Sequence, residues 1–279
     1  MEKTSTIEQG QLLVRTFYRF VSIEPERLEA LQKRLTESGK KHNILGSLLL
    51  SDEGCNATIC GAPDQVEEFF SELQEIFPGL TGQDSYTQVA PFQRWKVPLK
   101  KQIVQARDPE LKPSANHQGQ LTPKEWDGIR DIVRQGAAQM IDVRNDYEVG
   151  IGTFPEAINP ETNTFKEFSD YLDREVGSSL DPTVPTAIFC TGGIRCEKAR
   201  MDLERRGFQD VRQLKGGILG YFKQSEEQGF EGECFVFDDR VAVDANLEPT
   251  QTFELCPRCG GPMPKDSREH DCNNGRRVP

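Results

Sequence analysis

A cysteine segment in the second half of the chain has the composition of a reactive-thiol site. It consists of Cys190, Thr191, Gly192, Gly193, Ile194, Arg195 and Cys196. The apolar run before it predicts a strand and the residues after it a helix, which is where a parallel sheet places its ligand site. The adjacent glycines let backbone N–H groups turn towards an anion at the helix N-terminus. We therefore predict that Cys190 is a catalytic thiolate, supported by the fixed charge of Arg195, whose guanidinium can also bond loop carbonyls.

This cysteine segment has two other interpretations. The first is a buried cysteine at a strand end, followed by an ordinary glycine-rich turn. The second is a tyrosine phosphatase, because an arginine also follows the nucleophilic cysteine in those enzymes. Phosphatases usually place a histidine directly before the nucleophile, whereas Phe189 precedes Cys190 here. We therefore favour a catalytic cysteine that does not belong to a phosphatase, and the pattern of the surrounding segments supports this interpretation.

Asp142 and Arg144 form a second charged group, and they lie in a segment with a recognisable pattern. The segments that carry this pattern are 141–148, 152–157, 190–196 and 214–218. Together they resemble the conserved regions of rhodaneses. The resemblance implies a rhodanese fold with Cys190 as the active-site cysteine. We expect Asp142 and Arg144 to support the site as an internal ion pair that braces the active-site loop.

The order of predicted elements indicates an α+β domain in the first part of the chain. Strands are predicted at 12–20, 44–50, 56–60 and 91–105, and helices at 25–39 and 64–77. The β-α-β-β-α-β order is typical of a ferredoxin-like domain, in which two helices pack on one antiparallel sheet. We assign 1–105 to this domain, 106–120 to a polar linker, 121–230 to a rhodanese domain and 231–279 to a C-terminal extension.

Beyond the linker, strands and helices alternate. Thr122 and Pro123 have the composition of a helix N-cap and first helical residue, and the helix is expected to end at Arg134. Further strands are predicted at 139–144, 186–189 and 211–214, with helices near 164–176 and 195–206. This alternation predicts an α/β domain with a parallel sheet.

The composition is that of a water-soluble chain, and we expect it to be cytoplasmic. Charged residues make up 28% and the mean hydropathy is -0.61, and no apolar run approaches the roughly 20 residues that span a bilayer. The N-terminus lacks the apolar stretch of a signal peptide. A net charge of -11 argues against DNA and other non-specific nucleic-acid partners. No nucleotide-binding fingerprint occurs, and no heptad pattern predicts an oligomeric state.

Matches spread over most of residues 12–260 are more specific than the cysteine loop alone. The matching segments are 48–58, 94–97, 100–104, 190–198 and 233–240. They resemble the tRNA uridine hydroxylase family. The resemblance implies conversion of wobble uridine 34 to 5-hydroxyuridine with molecular oxygen and an electron donor that stays unidentified. It also implies a persulfide intermediate at Cys190.

Two alternatives to that chemistry stay open. The Cys190 thiolate could instead add to C6 of the uracil, which would make C5 nucleophilic towards oxygen. The chain could also be a sulfurtransferase that passes persulfide sulfur from Cys190 to cyanide or to a protein acceptor. The first domain and its stretch of basic residues favour the tRNA enzyme, because a simple sulfurtransferase requires neither an extra domain nor a surface that binds RNA.

The basic strip is the densest cationic stretch of this acidic chain. It consists of Arg94, Trp95, Lys96, Lys100 and Lys101. An anticodon loop presents unstacked bases and phosphates, which proteins hold by aromatic stacking and by cations. We predict that the strip binds the tRNA anticodon loop beside the Cys190 loop. The other interpretation is an edge strand with solvated charges.

The C-terminal extension contains residue types that bind zinc. The four candidates are Cys256, Cys259, His270 and Cys272. Cys256 and Cys259 form a CxxC pair, which is a typical start of a zinc knuckle. His270 and Cys272 are only two positions apart, so the sequence favours an unmetallated tail over a zinc site.

Overall fold

The computed structural model describes residues 10–113, 119–225, 229–267, 270 and 272. The chain divides into two compact units. The first contains residues up to 105 with 112 and 113, and the second contains 106–111 and the described residues from 119 onward. Part of the predicted linker therefore packs with the second unit, where Arg205 donates to Asp108 at 2.6 Å. Positions 114–118 of that linker lie outside the described residues.

In its described residues, the first unit consists of five strands and two helices. They are β1 (Leu12–Phe20), α1 (Pro25–Lys41), β2 (Leu45–Ser51), β3 (Gly54–Gly61), α2 (Pro63–Ile76), β4 (Gly82–Thr87) and β5 (Trp95–Lys96). The sheet order is β4-β1-β3-β2-β5, and β1 through β4 pair antiparallel. The predicted ferredoxin-like fold is confirmed.

Apolar residues at helical spacing fix α2 on the sheet. Its buried face contains Val66, Phe69, Phe70 and Leu73, which join the sheet residues in one core. Proline at the first position starts both helices, since its fixed φ suits the first turn and its missing N–H would have no intrahelical acceptor.

The predicted last strand over 91–105 is wrong. The fourth strand of the sheet is β4, a polar edge strand that pairs with β1. In the 91–105 segment only β5 is regular, and it lies parallel to β2. Pro91 and Pro98 lack the N–H that a strand donates to its neighbour, so pairing beyond β5 is reduced to isolated bonds such as Lys100 N–H to the Leu50 carbonyl at 2.8 Å.

The second unit begins with the alternating elements that the sequence predicts. They are β6 (Gln120–Leu121), α3 (Pro123–Arg134), β7 (Gln139–Asp142), α4 (Asp146–Val149), β8 (Gly152–Thr153), α5 (Glu167–Glu175), β9 (Thr186–Phe189), α6 (Ile194–Arg205), β10 (Val211–Leu214) and α7 (Gly217–Gln224). α3 begins with the predicted capping box, in which Thr122 accepts from the Glu125 N–H and donates its own N–H to the Glu125 carboxylate.

The main sheet of this unit is parallel, in the order β6-β10-β9-β7. All four residues of β9 are buried, as expected for an inner strand covered on both faces. The carboxyl end of β9 therefore lies between the carboxyl ends of its two neighbours, β10 and β7. The α/β fold predicted for this part of the chain is confirmed.

Short strands follow the parallel sheet. They are β11 (Glu231–Gly232), β12 (Cys234–Phe235), β13 (Ala242–Val243), β14 (Phe253–Leu255) and β15 (Pro262–Pro264). β11 pairs with β8, β12 with β13, and β14 with β15. Within the described residues, no helix has the length and apolar character needed to cross a membrane.

Candidate active site

Cys190 directly follows the inner strand β9 and precedes helix α6. The helix begins at Ile194, and Gly193 before it has φ of 102°, a left-handed conformation that glycine adopts without a Cβ clash. This turn aims the Gly193 N–H at the Cys190 Sγ atom, at 3.1 Å. Cys190 is only 1% exposed, so its sulfur lies inside a cradle of backbone donors.

The surroundings of Cys190 stabilise a thiolate. Burial by itself would raise the pKa of this thiol, but the cradle reverses that effect and lowers it to about 6. The groups responsible are the Cys196 thiol, which hydrogen-bonds to the sulfur, the charge of Arg195, and the backbone N–H groups of Cys196 and Gly193. These geometries agree with the predicted role of the loop in holding an anion.

Arg195 is held by a carboxylate from another element. It donates to Glu148 through Nη1 at 2.5 Å and Nη2 at 2.8 Å. Nη2 also donates to the Thr191 hydroxyl at 3.2 Å. The expected contacts of this guanidinium with loop carbonyls are therefore replaced by a bidentate ion pair. Because both side chains are buried, each supplies the charge that the other needs out of water.

Glu148 is a site residue that was not predicted from the sequence. It lies in α4, where the Asn145 N–H donates to its Oε2 atom at 3.1 Å. Burial alone would raise the pKa of Glu148, but Arg195 and Arg144 lower it below the ordinary value. A polar residue followed three positions later by glutamate is the spacing of a helix capping box, and that signal identifies Glu148 in the sequence.

The predicted internal ion pair between Asp142 and Arg144 is present. Arg144 Nη2 lies 2.6 Å from Asp142 Oδ2, and both side chains are fully buried. The same nitrogen donates to the Gly152 carbonyl at 2.6 Å, and Thr153 donates to Asp142 at 2.9 Å. The pair thus fixes the start of β8 against the end of β7.

The N-terminus of α7 supports the other side of the cysteine loop. The Ile218 N–H donates to the Cys190 carbonyl at 3.0 Å, and the Leu219 N–H donates to the Thr191 carbonyl at 3.1 Å. Gly217 has φ of 62°, and a Cβ atom there would overlap both carbonyl oxygens. Glycine is therefore required for α7 to approach the loop this closely.

An exposed aromatic ring lies over the guanidinium of the loop. Phe237 is 47% exposed, and the Arg195 Cζ atom lies 5.7 Å from its ring centroid. The Phe237 ring also contacts the Phe235 ring edge-on, with 5.2 Å between the two centroids, and this contact holds it in place. This segment belongs to the 233–240 match of the sequence analysis, although Phe237 itself was not among the predicted site residues.

The basic strip lies in the first unit, and its members have different surroundings. The exposed cations are Arg94, Lys96, Lys100 and Lys101. Trp95 packs instead against the core, edge-on to Phe69, and its Nε1 donates to the Leu35 carbonyl at 3.2 Å. A Cβ atom at Gly39 would overlap the indole. The indole therefore serves the fold, and its predicted use as a stacking surface for RNA is not supported by this packing.

The C-terminal candidates form a separate cluster. One ligand atom each from Cys256, Cys259, His270 and Cys272 lies within 4.8 Å of all the others. The two-residue spacing of His270 and Cys272, which argued against zinc in the sequence, thus does not keep them from meeting the CxxC pair. None of the four belongs to the Cys190 loop.

Comparisons with known proteins agree with this two-part organisation. The family described as a UPF0176 acylphosphatase like domain matches residues 12–103, and the rhodanese-like domain family matches 126–224. A tRNA uridine(34) hydroxylase of Bdellovibrio bacteriovorus is 41% identical over 89% of this chain and 70% of its own length. One of a Picosynechococcus species is 42% identical over 92% and 85%. Among solved structures, a rhodanese-like domain protein from Staphylococcus aureus is 24% identical over 41% of this chain and 97% of its own, with a TM-score of 0.32.

The thiolate at Cys190 has a measurable pH dependence. Since its pKa is about 6, the rate of Cys190 alkylation by iodoacetamide should rise through that pH and level off above it. Arg195→Gln removes the charge that stabilises the thiolate, so the inflection should move up by at least about one pH unit. Quantitative mass spectrometry of the Cys190 peptide measures both.

Arg200→Gln is the matched control for that experiment. Arg200 lies on the same helix but pairs with Glu204, so its loss should leave the inflection in place. An inflection near the ordinary cysteine value of about 8.5 in the unchanged protein would contradict the cradle described above.

Proposed function

This chain belongs to the tRNA uridine(34) hydroxylase family, and we propose that it converts uridine 34 of tRNA to 5-hydroxyuridine with molecular oxygen as co-substrate. The observation that carries the proposal is the stabilised thiolate of Cys190 in a chain that matches two such hydroxylases along most of its length. Each of the two routes below places either a thiolate nucleophile or a persulfide anion beside the base. The loop around Cys190 offers donors for either.

In the route that uses the thiolate directly, Cys190 Sγ adds to C6 of the uracil. The S–C6 bond forms while the C5=C6 electron pair moves to C5, which then attacks oxygen. An external reductant supplies the electron pair and protons that cleave the O–O bond, so one oxygen stays on C5 and the other leaves as water. Loss of the C5 proton and departure of the thiolate restore the double bond. In the persulfide route, the Cys190 thiolate first attacks the outer sulfur of a sulfane donor such as thiosulfate, and sulfite leaves. The N–H groups and the guanidinium of the loop then hold the terminal sulfur anion.

We propose that the exposed ring of Phe237 holds the target base. This ring lies over Arg195, whose charge in turn stabilises the Cys190 thiolate. An aromatic side chain can stack on an extruded base of any type, because every base has a π-face. Such stacking contributes about 1–3 kcal/mol per base. We assign Phe237 to positioning of the uracil in place of the stacking predicted for Trp95.

The central prediction is the loss of 5-hydroxyuridine formation in Cys190→Ala. Unmodified tRNA with uridine 34 is incubated in air with a reductant and each protein, and its nucleosides are analysed by mass spectrometry. Removing the nucleophile should lower product formation at least about a thousandfold. Cys60→Ala, which removes a buried cysteine of β3 in the first unit, should keep the activity.

An incubation of the protein with tRNA in the absence of oxygen separates the two chemical routes. Exchange of the uridine C5 hydrogen with solvent, absent in Cys190→Ala, supports addition to C6, and no exchange supports the persulfide. A protein that forms no 5-hydroxyuridine but transfers sulfur from thiosulfate to cyanide is a sulfurtransferase, and that result would overturn the proposal.

The role of Phe237 is tested by comparing two substitutions. Phe237→Ala removes the stacking surface and should lower the kcat/KM for tRNA by about tenfold or more, whereas Phe237→Tyr keeps the ring and should stay within a few-fold of the parent. Alkylation of Cys190 at neutral pH should proceed in both variants, which shows that the loop is intact. Equal activity of Phe237→Ala and the parent would refute this assignment.

For the exposed cations of the basic strip we expect contacts with tRNA phosphates. The double variant Lys100→Glu and Lys101→Glu should weaken tRNA binding by about tenfold or more near physiological salt, without changing Cys190 alkylation. Trp95→Ala should instead lower the midpoint of urea unfolding, because it removes core packing. Filter binding and urea titration measure the two effects, and unchanged tRNA affinity of the double variant counts against this surface.

A further inference from the structure

The proposed reaction makes no use of the cysteines in the C-terminal extension. They lie with one histidine in a compact group made up of Cys256, Cys259, His270 and Cys272. The first two are buried, although the hairpin that bears them has strands of only three residues. So short a hairpin cannot bury much apolar surface, and small units of this kind usually need a metal or disulfides.

The turn between β14 and β15 has the backbone geometry of a metal-binding knuckle. Leu255 pairs with Pro262 across the hairpin, so the CxxC segment forms its tip. The Gly260 N–H donates to the Cys256 carbonyl and the Cys256 N–H to the Gly261 carbonyl, both at 2.8 Å. The Gly261 N–H points at the Cys259 sulfur, at 3.4 Å.

One sulfur–sulfur distance in the group is close to that of tetrahedral coordination, and one sulfur–nitrogen distance is shorter than it by about 0.5 Å. With Zn–S bonds of about 2.3 Å and Zn–N bonds of about 2.0 Å, neighbouring ligand atoms of a tetrahedron lie about 3.5–3.8 Å apart. The Cys256 and Cys272 sulfurs are 3.9 Å apart, and the Cys259 sulfur lies 3.0 Å from His270 Nε2. The sulfur separation is far longer than the roughly 2.05 Å of a disulfide bond.

The close spacing of the last two ligands agrees with this arrangement. The ligand atoms of His270 and Cys272 both lie within 4.8 Å of those of Cys256 and Cys259. His270 and Cys272 can therefore approach one metal ion together, just as Cys256 and Cys259 do from a tight turn. The two-position spacing of His270 and Cys272, which argued against zinc in the sequence, is compatible with one site of four ligands.

We propose that this group is a structural zinc site in which Cys256, Cys259, His270 and Cys272 coordinate one Zn²⁺. Thiolate and imidazole ligands select zinc over magnesium or calcium, which prefer oxygen. Four protein ligands leave no open position for water or substrate, so the site stabilises the fold and does not enter the hydroxylation.

The hairpin that the metal would stabilise adjoins the wall of the Cys190 loop. Phe253, the first residue of β14, packs against the apolar cluster of Tyr147, Phe235 and Val241. The Phe235 carbonyl accepts from the Thr191 hydroxyl at 3.5 Å. Loss of the metal should therefore loosen the support under Phe235 before it affects the parallel sheet.

The test is the zinc content of the full-length protein. Protein produced with zinc in the medium and desalted should contain about one zinc per chain by elemental analysis. Cys256→Ser should reduce this ratio several-fold, whereas Cys272→His, which keeps a zinc ligand at that position, should retain most of the zinc. Replacement by Co²⁺ should give the visible absorption of a tetrahedral thiolate complex.

The controls separate a specific site from an unfolded variant. Cys60→Ala changes a cysteine outside the group and should keep about one zinc per chain. Circular dichroism of Cys256→Ser should retain the signal of the parallel α/β unit while amide exchange accelerates in the β14–β15 hairpin. A zinc ratio near zero in the parent protein, or a disulfide between Cys256 and Cys272 in place of the metal, would overturn the proposal.

Discussion

The buried ion pair between Glu148 and Arg195 is the constraint on which the site depends. Arg195 has to lie beside Cys190 to favour the thiolate, yet a guanidinium removed from water without a partner is strongly unfavourable. Glu148 supplies the opposite charge at 2.5 Å and accepts the Asn145 N–H with the same carboxylate. Capping of α4 and placement of Arg195 are therefore one interaction. A change in either residue acts on helix, loop and thiol together.

Local pattern predicted most of the fold because short apolar strands and capped helices carry their signal within a few residues. β9 and α3 follow this rule, since an unbroken apolar run and a threonine-proline start define them. The last strand of the first unit does not. β4 is polar, because an edge strand with partly exposed faces needs little apolar surface. The more apolar segment after Pro91 is interrupted by Pro98, which has no N–H to donate to a neighbouring strand.

The parts of the site that the sequence did not reveal are tertiary. Arg195 and Glu148 are separated by 47 positions, and nothing in either segment alone shows that they meet. Trp95 is a related case. A tryptophan among cations occurs both on surfaces that bind nucleic acid and on edge strands that cover a core. Only the fit of its indole against Gly39 and Phe69 shows which of the two applies.

The cysteines of this chain show that burial does not decide reactivity. Burial raises the pKa of Cys55 and of Cys234 to about 12, so these thiols stay neutral and serve as small apolar side chains. Cys190 is equally buried, yet its pKa is about 6. The difference comes from directed donors, namely backbone N–H groups at a helix start, a thiol and a guanidinium. For the proposed reaction, this combination keeps the Cys190 sulfur charged while it stays buried.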